Sequence, residues 1–111
     1  MFLRLYTGPD AKSHFEDLTL PPPDVTTITQ KATEITFRRS SPGTKSDWHN
    51  APCRQYVITL AGCAQFTVGD GTSRTVKPGD VMLCEDLTGQ GHYHRVIGDQ
   101  TRLVAFVSVE G

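Results

Sequence analysis

The feature that most constrains the fold is a series of short segments in which apolar and polar residues alternate. Residues 33–38 and 102–109 show the clearest alternation, and turn-forming residues at 70–71, 78–80 and 98–99 separate such segments. Side chains of a strand point alternately to its two sides, so this pattern predicts β-strands with one buried face. No segment holds ten or more residues with helical period. The chain is therefore predicted to be all-β, either a sandwich or a barrel.

The N-terminal part is expected to differ from the rest, with a strand and a proline-rich connector over residues 1–31 and a β-barrel over residues 32–111. Phe2–Tyr6 alternates and has no partner nearby in sequence, so we expect a short edge strand. Pro21-Pro22-Pro23 excludes a helix or a central strand and predicts a surface connector. An exposed edge invites pairing with another chain, and a homodimer is therefore expected.

Length, charge and cysteine content exclude several classes of protein. A chain of 111 residues is long enough for one core, and its net charge of −1 gives no reason to expect nucleic acid or a membrane surface as partner. No apolar run is long enough to cross a bilayer, and the N-terminus is too short and too polar for a signal peptide. Three cysteines without a Cys-x-x-Cys pair predict neither a disulfide framework nor a zinc knuckle, so a reducing cytoplasm is the expected location.

Polar residues able to bind a ligand cluster in two stretches, around residues 43–62 and 85–94. The apolar run 55–60 predicts a strand covered on both sides. Residues an even number apart share one face of a regular strand, so His49 and Gln55 are expected to face the same way. The same argument places His92 and His94 together. If both faces point inward, these four side chains meet in one pocket.

The two stretches resemble the two motifs of the cupin superfamily. The first motif (glycine, five residues, His-x-His, three residues, Glu, six residues, glycine) falls with every spacing kept on Gly43, His49, Ala51, Gln55 and Gly62. The second resembles residues 78–80 followed by His92, with Val96 where the family often has Asn. The resemblance spans residues 32–109 and implies a double-stranded β-helix, or jelly-roll barrel, in a family where dimers are common.

The resemblance also implies a metal site, from which this chain departs. In metal-binding cupins the ligands are both histidines of the first motif, its glutamate and the histidine of the second. Here Ala51 and Gln55 replace one histidine and the glutamate, which leaves His49, Gln55 and His92 as candidate ligands. His94 could replace the missing histidine, or it could lie at the rim. Iron, nickel, zinc or manganese would be held more weakly without the carboxylate.

Several other residues could take part in a ligand site, but each also has a simple structural explanation. Four are expected to line a ligand pocket, with packing as the alternative for the two aromatic residues: Trp48, Cys53, Tyr56 and Thr59. Cys53 and Cys84 could be soft ligands or simply small buried side chains. Glu85 and Asp86 could supply a general base or be solvated loop residues, and His14 is expected at the surface.

Two functional hypotheses remain open from the sequence. The first is a metal-dependent enzyme, such as an oxygenase, isomerase or lyase, that acts on a small organic molecule in the barrel. The second is a metal-free protein that binds or senses a small ligand with the same residues as polar contacts. The two retained histidines favour the first, which we prefer, whereas the changes at Ala51 and Gln55 favour the second. A fold shared by many functions selects no chemistry by itself.

Overall fold

The computed structural model describes residues 1–110, which form nine strands in two facing sheets. The strands are β1 (Phe2–Thr7), β2 (Ser13–Asp17), β3 (Ala32–Ser40), β4 (Gln55–Ala61), β5 (Cys63–Val68), β6 (Ser73–Val76), β7 (Val81–Glu85), β8 (His92–Ile97) and β9 (Arg102–Val109). The all-β prediction is confirmed. The described residues contain no helix that could cross a membrane.

The two sheets differ in size. The larger has six strands in the order β2-β1-β7-β4-β9-β3, and the smaller has three in the order β6-β5-β8. Residues 43–49 extend the smaller sheet along the free side of β8 through the bridges Lys45–Arg95 and His49–His92. The chain thus passes along the small sheet just before it enters β4 of the large one.

Apolar side chains from the facing sides of both sheets form the core. Eight of them are Leu3, Leu5, Val57, Ala64, Phe66, Val68, Met82 and Val104, each at most 4% exposed. A large apolar side chain contributes about 1.5–3 kcal/mol when fully buried. Gly62 turns the chain from β4 into β5 at a φ of +72°, where a Cβ atom would lie 2.8 Å from the Cα atom of Arg102. Only glycine fits that corner without displacing the start of β9.

The N-terminal strand is not an edge strand, and that prediction was wrong. β1 lies between β2, to which it is antiparallel, and β7, to which it is parallel. Its parallel partner begins 79 residues later, so pairing between neighbours in sequence could not reveal it. Residues 20–30 contain no strand and cross the outer face of the large sheet, as the prolines predict.

β3 is a strand, but the expectation that one of its faces is buried was wrong. Residues 32–39 are all exposed, with Ile35 at 58% and Phe37 at 63%. β3 pairs only with β9 at the end of the large sheet, and Ile35 and Phe37 lie on its outer face, away from the small sheet. The inner face of β4 is buried as expected, whereas on its outer face Leu60 is 46% exposed.

Candidate ligand site between the two sheets

Two adjoining cavities open between the sheets. An inner cavity of about 50 Å³ lies in the centre. An outer cavity of about 460 Å³ lies towards β3. The residues that line both are Arg38, His49, Pro52, Gln55 and Phe106. The shared lining makes them one site, which opens to solvent at the exposed residues Arg38 and His49.

The structure brings the four candidate ligands together, since His49, Gln55, His92 and His94 all line the inner cavity. The ring centroids of His49 and His92 are 4.5 Å apart, and those of His49 and His94 are 6.0 Å apart. His92 and His94 share one face of β8, as expected, and both lie against Phe66. His49 lies before the start of β4 and reaches the cavity by backbone pairing with His92.

His92 is held by a buried carboxylate. Its Nδ1 atom lies 2.6 Å from Oδ2 of Asp86, which also accepts a hydrogen bond of 2.7 Å from the Ser13 hydroxyl. Asp86 is 0% exposed, so it is not a solvated loop residue. A carboxylate only accepts hydrogen bonds, so Nδ1 of His92 carries a hydrogen and Nε2 is left for a ligand.

The segment that carries His49 is fastened to the loop that carries Asp86. The side-chain amide of Asn50 donates to the carbonyls of Thr88, Gly89 and Asp86 at 2.8, 3.2 and 3.3 Å. Nδ1 of His49 is 2.9 Å from the carbonyl oxygen of Asp47. A carbonyl is also an acceptor, so His49 likewise presents Nε2 to the cavity.

His94 makes a different contribution. Its ring stacks on Phe66 at 5.0 Å, and its buried Nδ1 atom has no hydrogen-bond partner. Burial lowers the pKa of His94 to about 4, and the positive charge of Arg102 acts in the same direction. The imidazole is therefore neutral at pH 7 and offers hydrogen-bonding capacity without charge.

Arg102 is the most unusual member of the site, and the sequence-based search missed it. It is 3% exposed, lines the inner cavity and donates from Nη2 to Oγ1 of Thr59 at 3.2 Å. Burial lowers its pKa to about 10, so the guanidinium remains charged at pH 7. The signal was available in the alternation of β9, because Arg102 has the same parity as the inward-facing Val104 and Phe106.

The remaining candidates lie either at the cavities or away from them, depending on the direction in which each side chain leaves the extended backbone. Thr59 is buried behind the cavity and supports Arg102, and Cys53 lines the outer cavity. Tyr56 lies on the opposite face of β4 from Gln55 and packs against Phe2 at 6.1 Å. Trp48 packs against Tyr93 at 4.9 Å. The structure thus places both aromatic residues outside the cavities, because neighbouring residues in extended chain point in opposite directions.

Comparison with known structures identifies the architecture. No protein-family model matches the sequence, and no curated protein matches it. The chain is similar to a cupin 2 conserved barrel domain protein from Leptotrichia buccalis, with 18% identity, a TM-score of 0.55, and coverage of 86% of this chain and 44% of that one. It is also similar to an uncharacterised Klebsiella pneumoniae protein with a double-stranded β-helix domain (17% identity, TM-score 0.54, 71% and 73% covered). The chain has a cupin fold.

A third structure with a similar fold is that of a conserved protein of unknown function from Streptococcus pyogenes. The two share 20% identity with a TM-score of 0.53 over 76% of this chain and 71% of that one. Identities at this level establish the fold alone. The chemistry of the site must therefore be argued from its own residues.

The side chains of the site do not supply the ligands of the metal site that the resemblance implies. Among residues 1–110, no three side chains of His, Cys, Asp or Glu are arranged to hold one ion. His49 and His92 each offer one ring nitrogen, whereas Arg102 and Arg38 bring positive charge to the same cavity. Burial also raises the pKa of the Cys84 thiol, which removes it as a thiolate ligand at neutral pH. These side chains therefore do not form a complete ligand set for a resident divalent cation.

Proposed function

We propose that this cupin binds a small organic molecule in the two adjoining cavities, with His49, Gln55 and His92 as its polar contacts. The observation that carries the proposal is that these side chains line one cavity within an apolar core. Two buried polar atoms of residues lining this cavity, Nδ1 of His94 and Nε of Arg102, have no hydrogen-bond partner, and a polar ligand would supply one.

The size and rigidity of the site support this role. The outer cavity of about 460 Å³ falls in the range of roughly 300–1,000 Å³ usual for small-molecule sites. Asp86 fixes the ring orientation and tautomer of His92, so its Nε2 atom is positioned before a ligand arrives. A preorganised contact binds more tightly, because less side-chain entropy is lost on association.

The proposal is tested by a fragment screen with ligand-observed NMR, on the parent protein and two histidine variants. His49→Ala removes a cavity-lining imidazole that is exposed enough to be dispensable for folding. His14→Ala is the matched control. His14 lies on the edge strand β2, pairs with Asp10 and lines neither cavity. We expect fragments whose affinity falls by about tenfold in His49→Ala and is unchanged in His14→Ala. A screen without binders, or binders indifferent to His49, would overturn the proposal.

A metal-dependent enzyme is the second candidate, favoured by one observation. His49 and His92 lie side by side, and in both of them a hydrogen bond occupies Nδ1. Such outer partners orient histidine ligands in many metal sites. A cation would, however, need at least one further donor, and this requirement is the basis of the Gln55 prediction below.

A further inference from the structure

Arg102 differs from Arg4 and Arg54 in having no acidic partner. Within residues 1–110, no carboxylate oxygen lies within 4.0 Å of its guanidinium, whereas the other two arginines bind Glu85 at 2.6 and 2.7 Å. The Nε atom of Arg102 is buried without any hydrogen-bond partner. A charged group that is 3% exposed therefore has one neutral partner, the Thr59 hydroxyl.

A buried charge without an opposite charge nearby destabilises the folded chain when no ligand is bound. The effective penalty for burying an ion is several kcal/mol, and Coulomb attraction offsets it only where an opposite charge is close. Cys84 lines the same cavity but remains protonated, so it supplies no negative charge. The ring of Phe66, 5.5 Å from Cζ of Arg102, provides only a weak cation–π contact.

The charged residues around Arg102 do not neutralise its positive charge. Arg38 also lines both cavities, with its guanidinium 4.8 Å from the ring centroid of Phe106. Glu34 is the acidic residue that lines the outer cavity, and among the described residues no acidic side chain lines the inner one. Asp86 lies behind His92 and is engaged with Ser13. The inner cavity is thus lined by two positive charges.

We propose that the ligand of this site carries a carboxylate, which binds Arg102 in the inner cavity while the rest of the molecule fills the outer one. The inference rests on the proposed function and specifies the ligand class. A planar carboxylate matches the fork of a guanidinium and would supply the acceptor that Nε lacks. The inner cavity, at about 50 Å³, admits only a group of a few atoms, such as a carboxylate.

The test compares carboxylates with their uncharged amides by NMR. The Nε–Hε signals of the arginines are followed during titration with benzoate and propionate, with benzamide and propionamide, and with inorganic phosphate. The Arg102 signal is assigned by its absence from the Arg102→Lys spectrum. We expect the carboxylates to shift this signal and to bind at least about tenfold more tightly than the amides.

The outcomes separate this inference from the proposed function. Amides that bind as well as the carboxylates would leave a ligand site but overturn the carboxylate assignment. Binding of phosphate alone would also overturn it. Failure of every probe to perturb residues of the cavity would overturn the inference and, with an empty fragment screen, the proposed function as well.

Variants of Arg102 provide an independent readout. In Arg102→Met the carboxylate affinity should fall at least about tenfold, and stability to urea without ligand should be equal or higher, because an unpaired buried charge is removed. Arg95→Met is the matched control, since Arg95 is exposed and bonds Gln65. Unchanged carboxylate affinity in Arg102→Met would refute the inference. Should that variant not fold, Arg102→Lys and the Nε–Hε signal of the parent decide.

Discussion

Gln55 occupies the position at which a carboxylate would complete a set of cation ligands. Its side chain is 8% exposed and lines the inner cavity with His49 and His92. An amide oxygen carries no net charge, so it attracts a divalent ion far less than a carboxylate does in a partly dry cavity. The two guanidinium groups add repulsion that the amide cannot offset.

Gln55→Glu is therefore expected to raise the affinity for divalent metal by at least about tenfold, or roughly 1.4 kcal/mol. The physical reason is that two imidazoles and one carboxylate form a common metal-binding set. Calorimetric titration of Zn²⁺, Ni²⁺ and Fe²⁺ into chelator-stripped protein measures the change. Adding His49→Ala or His92→Ala to the Gln55→Glu variant should remove the gain, whereas adding His14→Ala should not. An unaltered affinity would mean that the cavity does not accept a cation and would eliminate the metal-dependent candidate.

Residues of the site were predictable from sequence where spacing carried information. His92, His94 and Gln55 followed from strand parity and motif spacing. Asp86 did not, because a charged residue beside a turn is normally solvated, and Arg102 was missed for the same reason although its strand parity indicated an inward side chain. Their burial depends on long-range contacts, such as that between Asp86 and Ser13, which only the folded chain reveals.

At the scale of elements, Glu85 joins three parts of the large sheet. Its carboxylate at the end of β7 accepts hydrogen bonds from Arg4 of β1 and from Arg54, which precedes β4. Burial would raise the pKa of Glu85, but hydrogen bonds from the two arginines outweigh it and hold the pKa below its ordinary value of 4.5. The parallel pairing of β1 with β7 is thus supported by charge at its C-terminal end.

This arrangement predicts a pH-dependent stability. A carboxyl whose pKa is lower in the folded chain stabilises the fold above its unfolded pKa, and the contribution is lost as pH falls through the folded value. At pH 7, Glu85→Gln should lower the free energy of unfolding by about 1 kcal/mol. The difference between parent and variant should shrink as pH falls below 4.5 in urea titrations.

Glu16→Gln serves as the control for that experiment. Glu16 is exposed on β2, and its carboxylate is 3.6 Å from Arg4. An exposed ion pair contributes little, so the control should change stability by less than about 0.5 kcal/mol at any pH. A Glu85→Gln deficit that stays constant down to about pH 3 would show that the ion pairs are not its origin.

The order of the strands was less predictable than their existence. Alternation and turns marked most strands, including β3 and β9, because these signals are local. Which strands pair depends on contacts distant in sequence, so the parallel pairing of β1 with β7 and the resulting edge positions of β2 and β3 were not predictable. The same limit explains why residues 33–38 were expected to have a buried face.

At the scale of the whole molecule, the outer face of the large sheet is uncovered at the end formed by β3. The outer face there presents Ile35, Phe37 and Leu60, which are 58%, 63% and 46% exposed. β3 also has a free edge nine residues long, with unpaired backbone donors and acceptors. Exposed apolar patches and free strand edges are features of association sites. A second copy of the chain would cover the apolar side chains and pair with the free edge, because β3 can pair with itself about a two-fold axis.

We therefore predict that the homodimer forms through β3 rather than through the N-terminal strand. Light scattering at micromolar concentration should give the mass of a dimer. Phe37→Glu combined with Ile35→Glu should shift it to a monomer with an unchanged circular dichroism spectrum, because like charges then repel across the two-fold axis and both side chains are exposed in the single chain. Leu87→Glu is the matched control, since Leu87 is 48% exposed on the loop after β7 and far in sequence from β3. A parent that scatters as a monomer, or a control that dissociates as readily as the β3 variant, would contradict the assignment.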